Sequence, residues 1–130
     1  MNIKEQVSYW ETGSTYDLET AQALFERDRY PYCLYFCHLA LEKLLKALWV
    51  LQRKEHPPRM HNLVFLAEKA SAELDGTVLD FLAELNEFNL EARYPDLKRT
   101  LYLKADQKYT LYYLDKTREI LNWLSRRLSE

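Results

Sequence analysis

Apolar residues recur at three- and four-residue steps along nearly the whole chain, the period of helices that bury one face. Val7, Trp10, Leu18, Ala21 and Phe25 predict a long first helix, with Gly13-Ser14-Thr15 as a point of kink or restart. After a turn at Arg29-Tyr30, Pro31 stands at the first position of a second helix. That helix carries Leu34, Cys37, Leu41, Leu44, Leu48 and Leu51 and is closed by His56-Pro57-Pro58. Leu63, Leu66, Ala67 and Ala70 predict a short third helix capped by Asn62 or His61. Following Asp75-Gly76, the positions Val78, Leu82, Leu85 and Ala92, flanked by Phe81 and Phe88, define a fourth helix that ends at Arg93 before Pro95. Ala105, Tyr109, Tyr112, Ile120 and Leu124 define a long last helix with Arg126-Arg127 in its final turn. Four long helices and one short one joined by short connections predict an all-α, up-and-down antiparallel four-helix bundle with one additional short helix.

Composition agrees. A chain of 130 residues with 48% apolar content, two glycines and four prolines is expected to form one domain over residues 1–130, with no disorder and no turn-rich β fold. A net charge of −2 gives no overall electrostatic attraction to nucleic acid or to an anionic membrane, so any such binding must be local. No apolar run reaches transmembrane length and no signal-peptide core follows Met1, so a cytoplasmic protein that does not engage the membrane is expected.

The second helix breaks its apolar pattern at His38, Glu42 and Lys46, which fall at steps of four and form one polar stripe extended by Tyr35 and Trp49. The simpler reading is a solvated face with a Glu42–Lys46 pair. The sharper one pairs this stripe with Asn86, Asn89 and Arg93, which share a face of the fourth helix, across a polar cleft. Arg93 stands at a helix end, where it complements the dipole or, with Tyr94 and Asp96 beside it, holds a ligand. Cys33 and Cys37 match no metal or redox spacing and read as buried thiols. The loop from His56 to His61 could touch phosphate but reads more simply as a polar turn, and Glu84, Glu87 and Glu91 read as a solvated face. Gly13 and Gly76 lie 63 positions apart, which excludes P-loop and dinucleotide fingerprints, and no serine nucleophile elbow occurs. No metal or cofactor is expected. Ten tyrosines and three tryptophans exceed what a small bundle readily buries, so a homodimer is expected, with Tyr102, Tyr109, Tyr112 and Tyr113 as its first candidates.

Four segments in order resemble the HEPN family, the higher eukaryote and prokaryote nucleotide-binding domain. They are Tyr32-Cys33 to Phe36, Ala40-Leu41-Glu42-Lys43-Leu44-Leu45-Lys46-Ala47-Leu48, Pro57 to His61-Asn62-Leu63, and Ala92-Arg93-Tyr94-Pro95-Asp96, with a long helix to follow. The resemblance spans Tyr16 to the C-terminus and implies a small helical bundle, often a homodimer. In prokaryotes it implies frequent pairing with a minimal nucleotidyltransferase, some pairs acting as toxin and antitoxin. HEPN ribonucleases carry an arginine followed after four to six residues by a histidine, the arginine holding phosphate and the histidine assisting 2′-hydroxyl attack. Here no histidine follows Arg93, while Arg53 has His56 too near and His61 too far. The expectation is therefore a noncatalytic protein binding a nucleotide, RNA or a nucleotidyltransferase. A divergent metal-independent ribonuclease that borrows a histidine from elsewhere, and a structural dimerisation module, are the alternatives. Related toxins accept adenylyl groups on a tyrosine beyond that histidine; here Tyr94 and Tyr102 are candidates by proximity alone.

Overall fold

The computed structural model describes residues 1–70 and 72–129 and contains six helices with no strand among the described residues. They are α1 (Ile3–Glu26), α2 (Tyr30–Arg53), α3 (Leu63–Lys69), α4 (Gly76–Arg93), α5 (Pro95–Lys104) and α6 (Gln107–Ser129). The four long helices form the expected up-and-down bundle. The centre is α2, which touches each of the other five helices. Leu34, Leu41, Leu44, Leu45 and Leu48 are all at most 1% exposed, which explains why α2 is apolar nearly all round. Cys33 and Cys37 are buried and free among them. A hydrogen bond with Cys37 and then burial push the Cys33 thiol up, so it stays protonated and unreactive.

Short polar side chains set the helix starts. Asn2 accepts from the Glu5 amide at 2.8 Å, Asp75 from Val78 at 2.9 Å, and Asp106 from Tyr109 at 2.8 Å. Asn62, rather than His61, caps α3 by accepting from the Val64 and Phe65 amides at 3.1 and 3.2 Å. The α1–α2 turn places Asp28 in the left-handed region (φ 61°), which aspartate tolerates, and α2 ends on a left-handed Lys54 two residues before His56.

Three expectations about the elements need correction. Gly13 neither kinks nor restarts α1, which runs through as one helix. Its role is close approach to α2: a methyl group there would come within 3.0 Å of the Lys43 stem, which passes over it to pair with Asp17 at 2.8 Å. The hydroxyl of the next residue, Ser14, donates to the Ala40 carbonyl at 2.7 Å, tying the same stretch to α2.

The second correction is α5, which occupies a stretch that the sequence pattern presents as a connection. Tyr94 is extended (φ −110°, ψ 124°), as the residue before a proline prefers, and serves as the end of α4 and the start of α5. Pro95 thus both stops one helix and opens the next. Leu101 is fully buried whereas Leu97 and Leu103 are exposed, so α5 lacks the apolar stripe that would have announced it. Lys104 returns to α4 by donating to Glu91 at 3.4 Å.

The third is the register of α6. Its buried face runs through Thr110, Leu114, Thr117, Leu121 and Leu124, with Ile120 beside it. Tyr112 lies outside it, 53% exposed, because a tyrosine ring counts as apolar in a pattern while its hydroxyl favours the surface. Tyr109 and Tyr113 are half-buried and pack edgewise on Phe88, with centroids 6.4 and 5.0 Å away. They join α6 to α4, so two of the four tyrosines expected at a dimer contact serve the fold of one subunit.

Candidate functional site

Along α2 the positions His38, Glu42 and Lys46 form a stripe at steps of one helical turn, and they are 0%, 5% and 6% exposed. The solvated-face reading is therefore overturned. The cover comes from elements distant in sequence. Trp10 of α1 lies under the Lys46 ammonium, 5.3 Å from ring centroid to Nζ, and the loop before α3 lies over Glu42.

The Glu42 carboxylate is the hub. Its Oε2 accepts from Lys46 Nζ at 2.9 Å and its Oε1 from His61 Nδ1 at 2.9 Å, while His38 Nδ1 lies 3.7 Å from Oε1. Burial lowers the His38 pKa to about 4, against the raising influence of Glu42, so the ring is neutral at pH 7. Its Nε2–H donates to the His61 carbonyl at 2.8 Å. His61 is thus held twice, by its backbone through His38 and by its ring through Glu42.

The far side of the His61 ring meets α4. Arg93 Nη2 lies 3.3 Å from His61 Nε2. Asn86 accepts from the Leu63 amide at 2.9 Å and donates to Asn62 at 3.1 Å, which locks the α3 cap against α4. Beyond these side chains opens a pocket of about 310 Å³ lined by His61, Asn62, Asn86, Asn89, Leu90, Arg93 and Tyr94. Asn89 is 5% exposed, and its side-chain amide nitrogen has no hydrogen-bond partner among the described residues. An unmet buried donor of this kind is an open demand for an acceptor.

Of the residues singled out in the sequence, Asn86, Asn89, Arg93 and Tyr94 line the pocket. His38, Glu42 and Lys46 stand behind it and reach it through His61. Asp96 is exposed in the first turn of α5 and is not among the lining residues. The sequence presents His61 as a turn residue, and its partner Arg93 lies 32 positions away, beyond any local spacing. The signals for it are its place directly before the α3 cap and its position in the loop from His56 to His61, which could touch phosphate but reads more simply as a polar turn. The carboxylates on α4 also divide: Glu84 and Glu87 are exposed, but Glu91 is 8% exposed and paired with Lys104, which corrects the solvated-face reading for that residue.

The family model described as the HEPN domain matches residues 7–128. Among solved structures, TT1696 from Thermus thermophilus superposes with a TM-score of 0.79 at 18% identity, covering 97% of this chain and 98% of that one. ST0689, described as an archaeal HEPN homologue, superposes with a TM-score of 0.76 at 22% identity, covering 94% and 97%. At these identities the likeness concerns the fold. No curated protein matches the chain. Among the described residues, no helix is long and apolar enough to cross a membrane.

Proposed function

Since the chain belongs to the HEPN domain family, we propose that it is a noncatalytic binding protein that takes the phosphate of a nucleotide, free or carried by a small nucleotidyltransferase partner, at Arg93. The observation that carries this reading is the meeting of Arg93 with His61 on the rim of a pocket that three asparagines line together with Leu90 and Tyr94. A guanidinium matches phosphate oxygens two at a time, and Asn89, whose buried side-chain amide is unmet, lines the same pocket. Among the described residues no side chain caps the N-terminus of α5, which begins two positions after Arg93 and leaves backbone N–H groups at the same corner of the fold. A toxin–antitoxin pair is a natural setting for such a protein. In nuclear magnetic resonance titration with ribonucleotides, the largest shifts are expected at His61, Asn89 and Arg93. Shifts confined to other faces of the bundle would remove the reading.

A second reading is favoured by the Glu42–His61 bond, since a carboxylate-oriented imidazole beside an arginine can also act as a base. In that reading Nε2 takes the proton of an RNA 2′-hydroxyl, the oxygen attacks the adjacent phosphorus, and the 5′-oxygen leaves with its bonding pair and takes a proton from water. Cleavage of RNA in the presence of a chelator, giving 2′,3′-cyclic phosphate ends and lost in His61→Asn, would establish it in place of the first.

The protein is further expected to form a homodimer. Leu90 and Tyr94, 51% and 55% exposed, stand at the pocket rim, and Leu97, Tyr102 and Leu103 add exposed apolar side chains around the adjoining α5. A second copy seated there would also cover the pocket mouth. Light scattering at micromolar concentration should give twice the 15.6 kDa chain mass; the mass of one chain would exclude the dimer.

A further inference from the structure

We infer that Glu42 is a positioning residue, which fixes His61 as the Nδ1–H tautomer so that Nε2 presents a lone pair to the pocket. The use of that lone pair rests on the reading of the pocket as a ligand site; the tautomer itself does not.

Two contacts on one ring require the same proton placement. Glu42 Oε1 stands 2.9 Å from Nδ1 while its other oxygen takes the Lys46 ammonium at 2.9 Å, so the carboxylate is bonded as an anion and can only accept. The proton between them belongs to Nδ1. On the other side of the ring, Arg93 Nη2 is 3.3 Å from Nε2, and a guanidinium nitrogen can only donate. Nε2 must therefore accept. A doubly protonated ring would set an N–H against the guanidinium, and the opposite tautomer would fail at both ends at once. The hydrogen bond made by one ring nitrogen decides the state of the other, and here both partners choose the same state.

The rest of the stripe keeps this arrangement from relaxing. His38 holds the His61 carbonyl at 2.8 Å and is itself fully buried, so the backbone from which the ring projects cannot shift without breaking that hydrogen bond. Immediately after it, Asn62 and Asn86 fix the start of α3. Lys46 and Glu42 side chains are each 7% exposed, which shields their bond from water. The buried stripe thus acts as a fixed backing for one half-exposed imidazole. A ligand whose anionic oxygen draws Arg93 off Nε2 then leaves that lone pair to accept from a hydrogen-bond donor of its own.

The test is two-bond ¹H–¹⁵N correlation of the histidine rings in ligand-free, uniformly labelled protein near pH 8. His61 is expected to show a protonated Nδ1 and an unprotonated Nε2. In Arg93→Met, which leaves Glu42 as the partner of the ring, the Nδ1–H form is expected to persist; adding Glu42→Met with Lys46→Met, which leaves neither charge orphaned in the interior, is expected to move the unprotonated resonance to Nδ1. A wild-type ring protonated on Nε2, or a tautomer unchanged in the folded triple variant, would overturn the inference. If the triple variant does not fold, the spectra of the wild type and Arg93→Met decide. Adding a ribonucleotide to the same sample tests the pocket separately: the expected tautomer with no ligand response sinks the binding reading and leaves the role of Glu42 in orienting the ring intact.

Discussion

Glu42→Ala is expected to destabilise the protein by about 3–5 kcal/mol, the range for breaking a buried ion pair from one side. The loss comes from what remains. Lys46, with a side chain only 7% exposed, would keep its charge against Trp10 with no anion to meet it, and the His61 ring would lose the acceptor of its Nδ1 proton. Replacing both partners, as in Glu42→Met with Lys46→Met, should cost far less, because two thioether chains of similar length fill the space without an orphaned charge. Urea unfolding of the three proteins separates these cases: a low midpoint for Glu42→Ala with a largely recovered one for the double variant is expected. A midpoint for Glu42→Ala equal to wild type would show that water reaches the pair and that the stripe is not sealed.

Acidification is expected to withdraw about 3 kcal/mol through His38 alone. The unfolded chain takes up this proton near 6.5, the folded protein only near 4, because the ring is buried. Between those points the unfolded state binds more protons, so stability rises with pH across the window and is lost as pH falls through it. The contribution is complete above pH 6.5 and fully withdrawn below pH 4. Carboxylates titrate in the lower part of the same range, so the comparison is with His38→Gln, whose amide can still donate to the His61 carbonyl but takes up no proton. Its stability should fall less steeply than that of wild type between pH 7 and pH 4. Parallel curves for the two proteins would mean that His38 is not held neutral by burial.

How far the sequence disclosed this structure depended on whether each residue's partners were close in the chain. The central helix was plain, because Leu34, Leu41, Leu44 and Leu48 all meet the core and the three-four repeat records that directly. So was the end of α4, since Pro95 constrains Tyr94 locally. By contrast α5 turns on one fully buried leucine, Leu101, too little to leave a period. The stripe of His38, Glu42 and Lys46 has the spacing of a solvated ion-pair face, and nothing within α2 could say that Trp10 and the loop carrying His61 would cover it. The bringing together of Arg93 and His61 is purely tertiary. Thr110 and Thr117 stand outside the apolar pattern for a related reason: their hydroxyls mark them polar, yet both are fully buried on the inward face of α6.

That Arg93 holds a phosphate is the centre of the functional account, and calorimetric titration of wild type and Arg93→Lys with ribonucleotides tests it most directly. Lysine keeps the charge at the end of α4 and so preserves the dipole contact, but it lacks the planar fork that engages two oxygens. The account predicts measurable binding by wild type, at least roughly tenfold weaker binding by Arg93→Lys, corresponding to about 1.4 kcal/mol, and stabilities that differ by less than about 1 kcal/mol. Equal affinities in the two proteins, or no heat of binding in either, would contradict it.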